Sequence, residues 1–143
     1  MTIESLLERK EKALYCIHPD ESILNCIKIL NAKRLGALIV LSPEEEVLGI
    51  ISERDVLQKT YETKGQLGGM TVQEVMTPQE DLITASTQDG ISVVMEKMTS
   101  NQVRHLPILD EGELKGILAI GDVVKFLLDH ALQEITLLKD SGK

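Results

Sequence analysis

A ten-residue block, Gly49-Ile50-Ile51-Ser52-Glu53-Arg54-Asp55-Val56-Leu57-Gln58, returns 67 positions later as Gly116-Ile117-Leu118-Ala119-Ile120-Gly121-Asp122-Val123-Val124-Lys125. Repetition at that period means one supersecondary unit written twice. The correspondence runs through both halves: Thr2 and Ile3 match Thr71 and Val72 at an offset of 69, and Ile23, Ile27, Leu30 and Leu35 match Ile91, Met95, Met98 and Val103 at 68. The offset drops by one residue before Leu14 and again between the turns at 43–46 and 111–113, where loops tolerate a change of length. The repeat boundaries read as 1–63 and 71–138, joined by a linker at 64–70 with three glycines and followed by a tail at 139–143.

A chain of 143 residues can bury roughly 70% of its unfolded surface, whereas either half alone is marginal, so the two repeats are expected to share an interface. Apolar residues make up 43% of the chain, but Tyr15, Tyr61 and Phe126 are its only aromatics, which makes the core aliphatic. So few aromatics leave no stacking platform for single-stranded nucleic acid. A net charge of -8 with no basic run argues against nucleic acid and anionic membrane surfaces as partners. The opening MTIESLLERKEK lacks the apolar stretch of a signal peptide, and no segment is apolar for the length of a membrane span, so a cytoplasmic protein is expected. Cys16 and Cys26 are the only cysteines, and without CxxC or HxxxH spacing they predict no metal site.

Each half predicts the same order of elements. A short helix (Ile3, Leu6, Leu7; then Val72 onward, behind the capping pattern Thr71-x-x-Glu74) leads to a strand at 14–17 or 82–85. An amphipathic helix follows at 21–32 or 90–101, its apolar positions recurring at i, i+3, i+4 and i+7. Two short apolar runs split by a turn then predict hairpins, 37–41 with 47–51 and 105–109 with 114–118. The second strand of each hairpin enters another helix near Glu53 or Ile120. The fold class is α/β (α+β), with two β-α-β-β-α repeats and helices packed on small sheets. The last helix continues to Leu138 with Val124, Leu127, Leu128, Ala131, Leu132, Ile135 and Leu138 in register, a face that suits a second chain or its own domain.

The repeated block carries the candidate chemistry. A strand ending at Ile51 delivers Ser52 to a helix N-terminus, where unpaired N–H groups and the helix dipole favour an anion such as phosphate. Ser52 offers a hydroxyl and Arg54 a charge; Asp55 suits the paired hydroxyls of a ribose. Ser52-x-x-Asp55 is equally a helix-capping arrangement that needs no ligand. Ala119 has no side-chain cap to offer in the second copy, so Asp122 there is not explained by reciprocal capping. With Ala119 and Gly121 in place of Ser52 and Arg54, the second site loses a hydroxyl and a guanidinium, though Gly121 admits close backbone approach. Arg104 and His105 enter the second hairpin where the first has Gly36 and Ala37, and either is a candidate phosphate contact. There is no Gly-x-Ser-x-Gly, P-loop or His-Glu-x-x-His, and His18, His105 and His130 are scattered, so no enzyme is expected.

Gly49-Ile50-Ile51-Ser52-x-x-Asp55 and Gly116-Ile117-Leu118-Ala119-x-x-Asp122, each preceded by an apolar strand such as His105-Leu106-Pro107-Ile108-Leu109-Asp110, resemble tandem cystathionine beta-synthase (CBS) domains, the Bateman module. The resemblance covers essentially the whole chain. It implies two repeats packed about a pseudo-twofold axis with two related clefts. It also implies an adenosine-containing ligand (AMP, ADP, ATP, NAD or S-adenosylmethionine), no required cofactor, a homodimer, and a regulated partner protein of unknown identity. It adds Ile17 and Ala37 to the ligand-binding set of Ser52, Arg54, Asp55, Arg104, His105, Ala119, Gly121 and Asp122. The expected clefts are non-equivalent, with the first better equipped for a phosphate.

Overall fold

The structure, a computed structural model, describes residues 2–9 and 16–141. The elements are α1 (Ile3–Arg9), β1 (Cys16–Ile17), α2 (Ile23–Lys33), β2 (Ala37–Leu41), β3 (Val47–Ser52), α3 (Glu53–Glu62), α4 (Val72–Val75), β4 (Thr77–Pro78), a 3-10 turn (Gln79–Asp81), α5 (Ile91–Ser100), β5 (His105–Asp110), β6 (Glu113–Ala119) and α6 (Ile120–Ser141). Two compact units result, one of Ala13–Ile83 and one of Met1–Lys12 with Thr84–Lys143.

These units are cut differently from the sequence repeats. The short helix that opens each repeat packs with the other repeat's half of the chain. In the first unit Ser22 bridges Thr71, Val72 N–H donates to Glu21 O at 2.9 Å, and Ile23 N–H donates to Met70 O at 2.9 Å. In the second, Thr2 bridges Gly90, and Ile3 and Glu4 N–H donate to the carbonyls of Asp89 and Thr87 at 3.2 Å. The stretch expected as linker, 64–70, therefore lies inside the first unit. Its Leu67 is buried in the core with Val72 and Val75, because a Leu beside a glycine-rich turn still removes apolar area from water.

In the first unit a four-stranded sheet runs β1-β2-β3-β4, with β1 parallel to β2 and the other pairs antiparallel. Alternation along β2 and β3 places Leu38, Val40 and Ile51 on the face that meets Ile17 and the α2 stripe of Ile23, Cys26 and Leu30. Ser22 caps α2 by accepting from Asn25 N–H, and Arg34 ends it in the left-handed conformation at φ 54. Burial pushes the Cys26 thiol up to about 11, which keeps it protonated among these aliphatic side chains. Burial and then the nearby charge of Glu45 raise the Cys16 thiol as well.

The second unit repeats the plan with a two-stranded sheet, β5-β6, over which Ile3, Val94, Leu106, Ile108, Leu118 and Val123 are buried. Both hairpins shift register at the same place, between Val40 and Leu41 and between Ile108 and Leu109. Their turns differ as the one-residue length change requires. The first turns through Pro43 and Glu44 and places Glu45 at φ 65; the second is a two-residue loop with Glu111 at φ 50 and Gly112 at φ 80. The strand expected at 82–85 does not form. Only Ala85 makes an isolated parallel bridge, to Ile108, since the 3-10 turn directs the chain up to Leu82 and Lys97 Nζ occupies Thr84 O at 2.6 Å. Of the strand expected at 14–17, Cys16 and Ile17 are paired, and residues 14 and 15 lie outside the described residues.

The α6 helix is longer than expected, running from Ile120 to Ser141. Val123 is buried, while Val124, Leu128, Leu132 and Ile135 are 47%, 58%, 60% and 51% exposed. No helix among the described residues is long and apolar enough to cross a membrane.

Candidate functional site

In the first unit the register of β2 and β3 sets Ala37 opposite Ser52, at the point where the hairpin opens into α3. Glu53 N–H closes this end by donating to Gly36 O at 2.9 Å. Ser52 keeps extended backbone (φ -116, ψ 165) and serves as the N-cap. Its hydroxyl accepts from Asp55 N–H at 3.2 Å and donates to Asp55 Oδ2 at 3.0 Å, and its own N–H donates to the same oxygen at 2.9 Å. The capping arrangement anticipated as an alternative is therefore present, with a contribution of about 1 kcal/mol to the helix.

The other carboxylate oxygen has a partner far away in sequence. Thr77 Oγ1 donates to Asp55 Oδ1 at 3.2 Å. Thr77 reaches this position on the edge strand β4, where it pairs with Ile50 while Pro78 pairs with Gly49. A Cβ on Gly49 would stand 2.3 Å from Thr77 O and 3.0 Å from Met76 Sδ, so only glycine allows β4 this close.

Ser52, Asp55 and Ala37 are thus brought together, and Arg54 is not with them. One step along a helix turns a side chain by about 100°, and Arg54 lies with Leu57, Gln58 and Tyr61 around a shallow depression on α3. Ile17 is buried in the aliphatic core with Leu38 and Val40, which leaves its backbone as the part able to meet a ligand. A separate groove of about 500 Å³ lies between α2 and α3, lined by Ile27, Leu30, Leu35, Val56 and Leu57 with Arg34 and Glu53 at its polar margin.

The second unit reproduces the frame with fewer side-chain groups. His105 pairs with Ala119, and Ile120 N–H donates to Arg104 O at 2.8 Å, as Glu53 does to Gly36. Asp122 Oδ2 accepts from Ala119 N–H at 2.9 Å. The box is one-sided here: Ala119 lacks the side-chain half, and only the backbone half is made. Arg104 and Gly121 are exposed and His105 is half-buried. A Cβ at Gly121 would meet nothing within 4 Å, so the approach to this helix start is open.

Two polar contacts were not legible as sequence motifs. Thr77 is one, because its link to Asp55 spans 22 residues. The other is Asp110 at the end of β5, which accepts from Ser86 Oγ at 2.9 Å, Thr87 N–H at 3.0 Å and Thr87 Oγ1 at 2.5 Å. The Thr87 hydroxyl first, and then its N–H, hold the Asp110 carboxyl below the usual carboxylate range. Among the described residues no group of three or more His, Cys, Asp or Glu side chains could hold a metal ion.

The CBS domain family matches this chain over residues 10–62 and 72–129. The chain is similar to the CBS domain-containing protein CBSX3, mitochondrial, of Arabidopsis thaliana, at 30% identity over 94% of this chain and 68% of that protein. Its fold matches the CBS-domain containing protein ATU1752 from Agrobacterium tumefaciens with a TM-score of 0.81 at 32% identity, covering 87% and 91% of the two chains. Two structures of the same fold carry ligands. CBSX2 in complex with AMP has a TM-score of 0.75 at 23% identity, covering 90% and 97%. The CBS domain pair of MJ0100 with 5'-methylthioadenosine and S-adenosyl-L-methionine has a TM-score of 0.77 at 22% identity, covering 91% and 98%. Two copies of the Gly-h-h-x-x-x-Asp strand-to-helix junction, each closed by the same backbone bonds, together with the family match over both halves, show that the chain belongs to the CBS-domain family, as a CBS pair.

Proposed function

We propose that this chain is a non-catalytic regulatory CBS pair that binds an adenosine-containing ligand of the AMP, ADP, ATP, NAD or S-adenosylmethionine class and passes its occupancy to a partner protein. The observation that carries this reading is the doubled junction at Ser52–Asp55 and Ala119–Asp122, on a fold whose neighbours hold AMP and S-adenosyl-L-methionine. In this reading Asp55 and Asp122 accept from ribose hydroxyls, and the N–H groups that open α3 and α6 face a phosphate. Arg104 and His105 supply charge to the second site. Ala37 and the backbone of Ile17 flank the adenine, and Ala119 and Gly121 leave room for backbone contact. The Ser52 hydroxyl would turn from Asp55 to phosphate, an exchange that offsets part of the binding energy. A cytoplasmic homodimer without nucleic-acid or membrane partners completes the reading.

A second reading, a ligand-independent interaction module, draws on the capping box that already engages Ser52 and Asp55 and on the exposed apolar face of α6. Titration calorimetry with AMP, ATP, NAD and S-adenosylmethionine separates the two. The nucleotide reading expects heat from at least one ligand and roughly tenfold or greater weakening by Asp55→Ala or Asp122→Ala, since hydrogen bonds to a charged group contribute about 1.5–3 kcal/mol. Heat unchanged by both substitutions removes these residues as ribose contacts; no heat with any ligand leaves the interaction module.

A further inference from the structure

We infer that Thr77 is a positioning residue for Asp55, and that its hydroxyl makes the first unit selective for a ribose over a deoxyribose. The inference rests on the nucleotide reading above and assigns a residue outside the repeated motif. Asp55 accepts at three places: Oδ2 from Ser52 N–H and Ser52 Oγ, at 2.9 and 3.0 Å, and Oδ1 from Thr77 Oγ1 at 3.2 Å. An ionised carboxylate has about four acceptor positions. Ser52 N–H and Thr77 Oγ1, which both stay when the Ser52 hydroxyl turns to a phosphate, come from two directions, the α3 cap and the β4 edge, so they fix the plane of the carboxylate and leave acceptor capacity on Oδ1. A ribose hydroxyl arriving there meets an acceptor already oriented, beside a hydroxyl that can itself accept.

The arrangement is built into the backbone. Gly49 has no Cβ to hold off Thr77 O, and Thr77 pairs with Ile50, so β4 cannot slide without losing this register. The second copy of the sequence differs at both hydroxyl positions. Ala119 stands in place of Ser52, and the offset that matches Thr2 with Thr71 sets Glu8 at the position of Thr77. Asp122 accepts from Ala119 N–H, and the discrimination at the ribose inferred here is that of the first unit.

The test is calorimetric binding of AMP and of 2′-deoxy-AMP to the wild type and to Thr77→Val, Thr77→Ala and Thr77→Ser. Wild type should prefer AMP. Thr77→Val and Thr77→Ala should weaken AMP by roughly 3- to 10-fold, less than loss of the carboxylate itself, and shrink the preference over the deoxy ligand. Thr77→Ser should restore both. A merely structural role would weaken both ligands equally and leave the ratio unmoved, which overturns the inference, as does a wild type that binds both alike. A wild type that binds neither nucleotide overturns the nucleotide reading itself and the inference with it. If Thr77→Val does not fold, Thr77→Ala against Thr77→Ser decides the same question.

Discussion

The two glycines of the repeated block hold the same place in sequence and answer to different neighbours. A Cβ on Gly49 would press on the backbone carbonyl of Thr77 at 2.3 Å, whereas one on Gly116 would meet Leu7 Cδ2 at 2.9 Å, the far end of a flexible side chain. Backbone cannot yield without breaking the β3–β4 register; a leucine rotates. Gly49→Ala should therefore destabilise by about 1–3 kcal/mol, the range of overpacking, and Gly116→Ala by less than about 1 kcal/mol. Urea unfolding of both variants checks this, and equal losses would contradict it. The sequence marks both glycines through the repeat alone. It cannot say that one faces a carbonyl, because Thr77 is 28 positions on and arrives through a strand of two residues that carries no periodic signal. Asp55 is the same kind of case: its capping role follows from local spacing, and its bond to Thr77 does not.

At the scale of elements, patterning with a period of two or 3.6 located the amphipathic helices and the hairpins to within about two residues, because each buries one face of a regular repeat. The segment before α5 escaped it. Residues 82–85 look like a strand, yet what holds this stretch is Ala85 bridging Ile108 and the side chains of Ser86 and Thr87 bonded to Asp110. That polar clasp ties the entry of α5 to the end of β5 and depends on an ionised carboxylate. The native pKa of Asp110 is depressed, so the stabilisation is present above the unfolded value of about 3.9 and is lost as pH falls through the lower native value. Thermal midpoints measured between pH 6 and pH 2 should fall more steeply in the wild type than in Asp110→Asn, which should start lower at pH 6. Parallel curves would show that the clasp contributes nothing to acid sensitivity.

For the whole molecule, the division of the chain matters more than the repeat that announces it. Each opening helix completes the other half's unit, so neither repeat as read from sequence, 1–63 or 71–138, carries its whole unit. Within the second unit, α6 carries an exposed apolar face. Its 22 residues span about 33 Å, and a stripe about 10 Å wide offers on the order of 330 Å², less than half of the ≈800 Å² per partner in a stable interface. A homodimer built on α6 would therefore have to recruit further apolar surface beyond this stripe. Leu128→Glu with Leu132→Glu should shift the sedimenting species from dimer to monomer, since burying a charge against apolar neighbours is strongly unfavourable. None of these side chains takes part in the Ser52–Asp55–Thr77 bonds, so nucleotide heats should persist in monomeric protein. A wild type that sediments as a monomer at tens of micromolar would rule out the dimer. Loss of nucleotide binding together with dimerisation would instead make assembly a condition of the site.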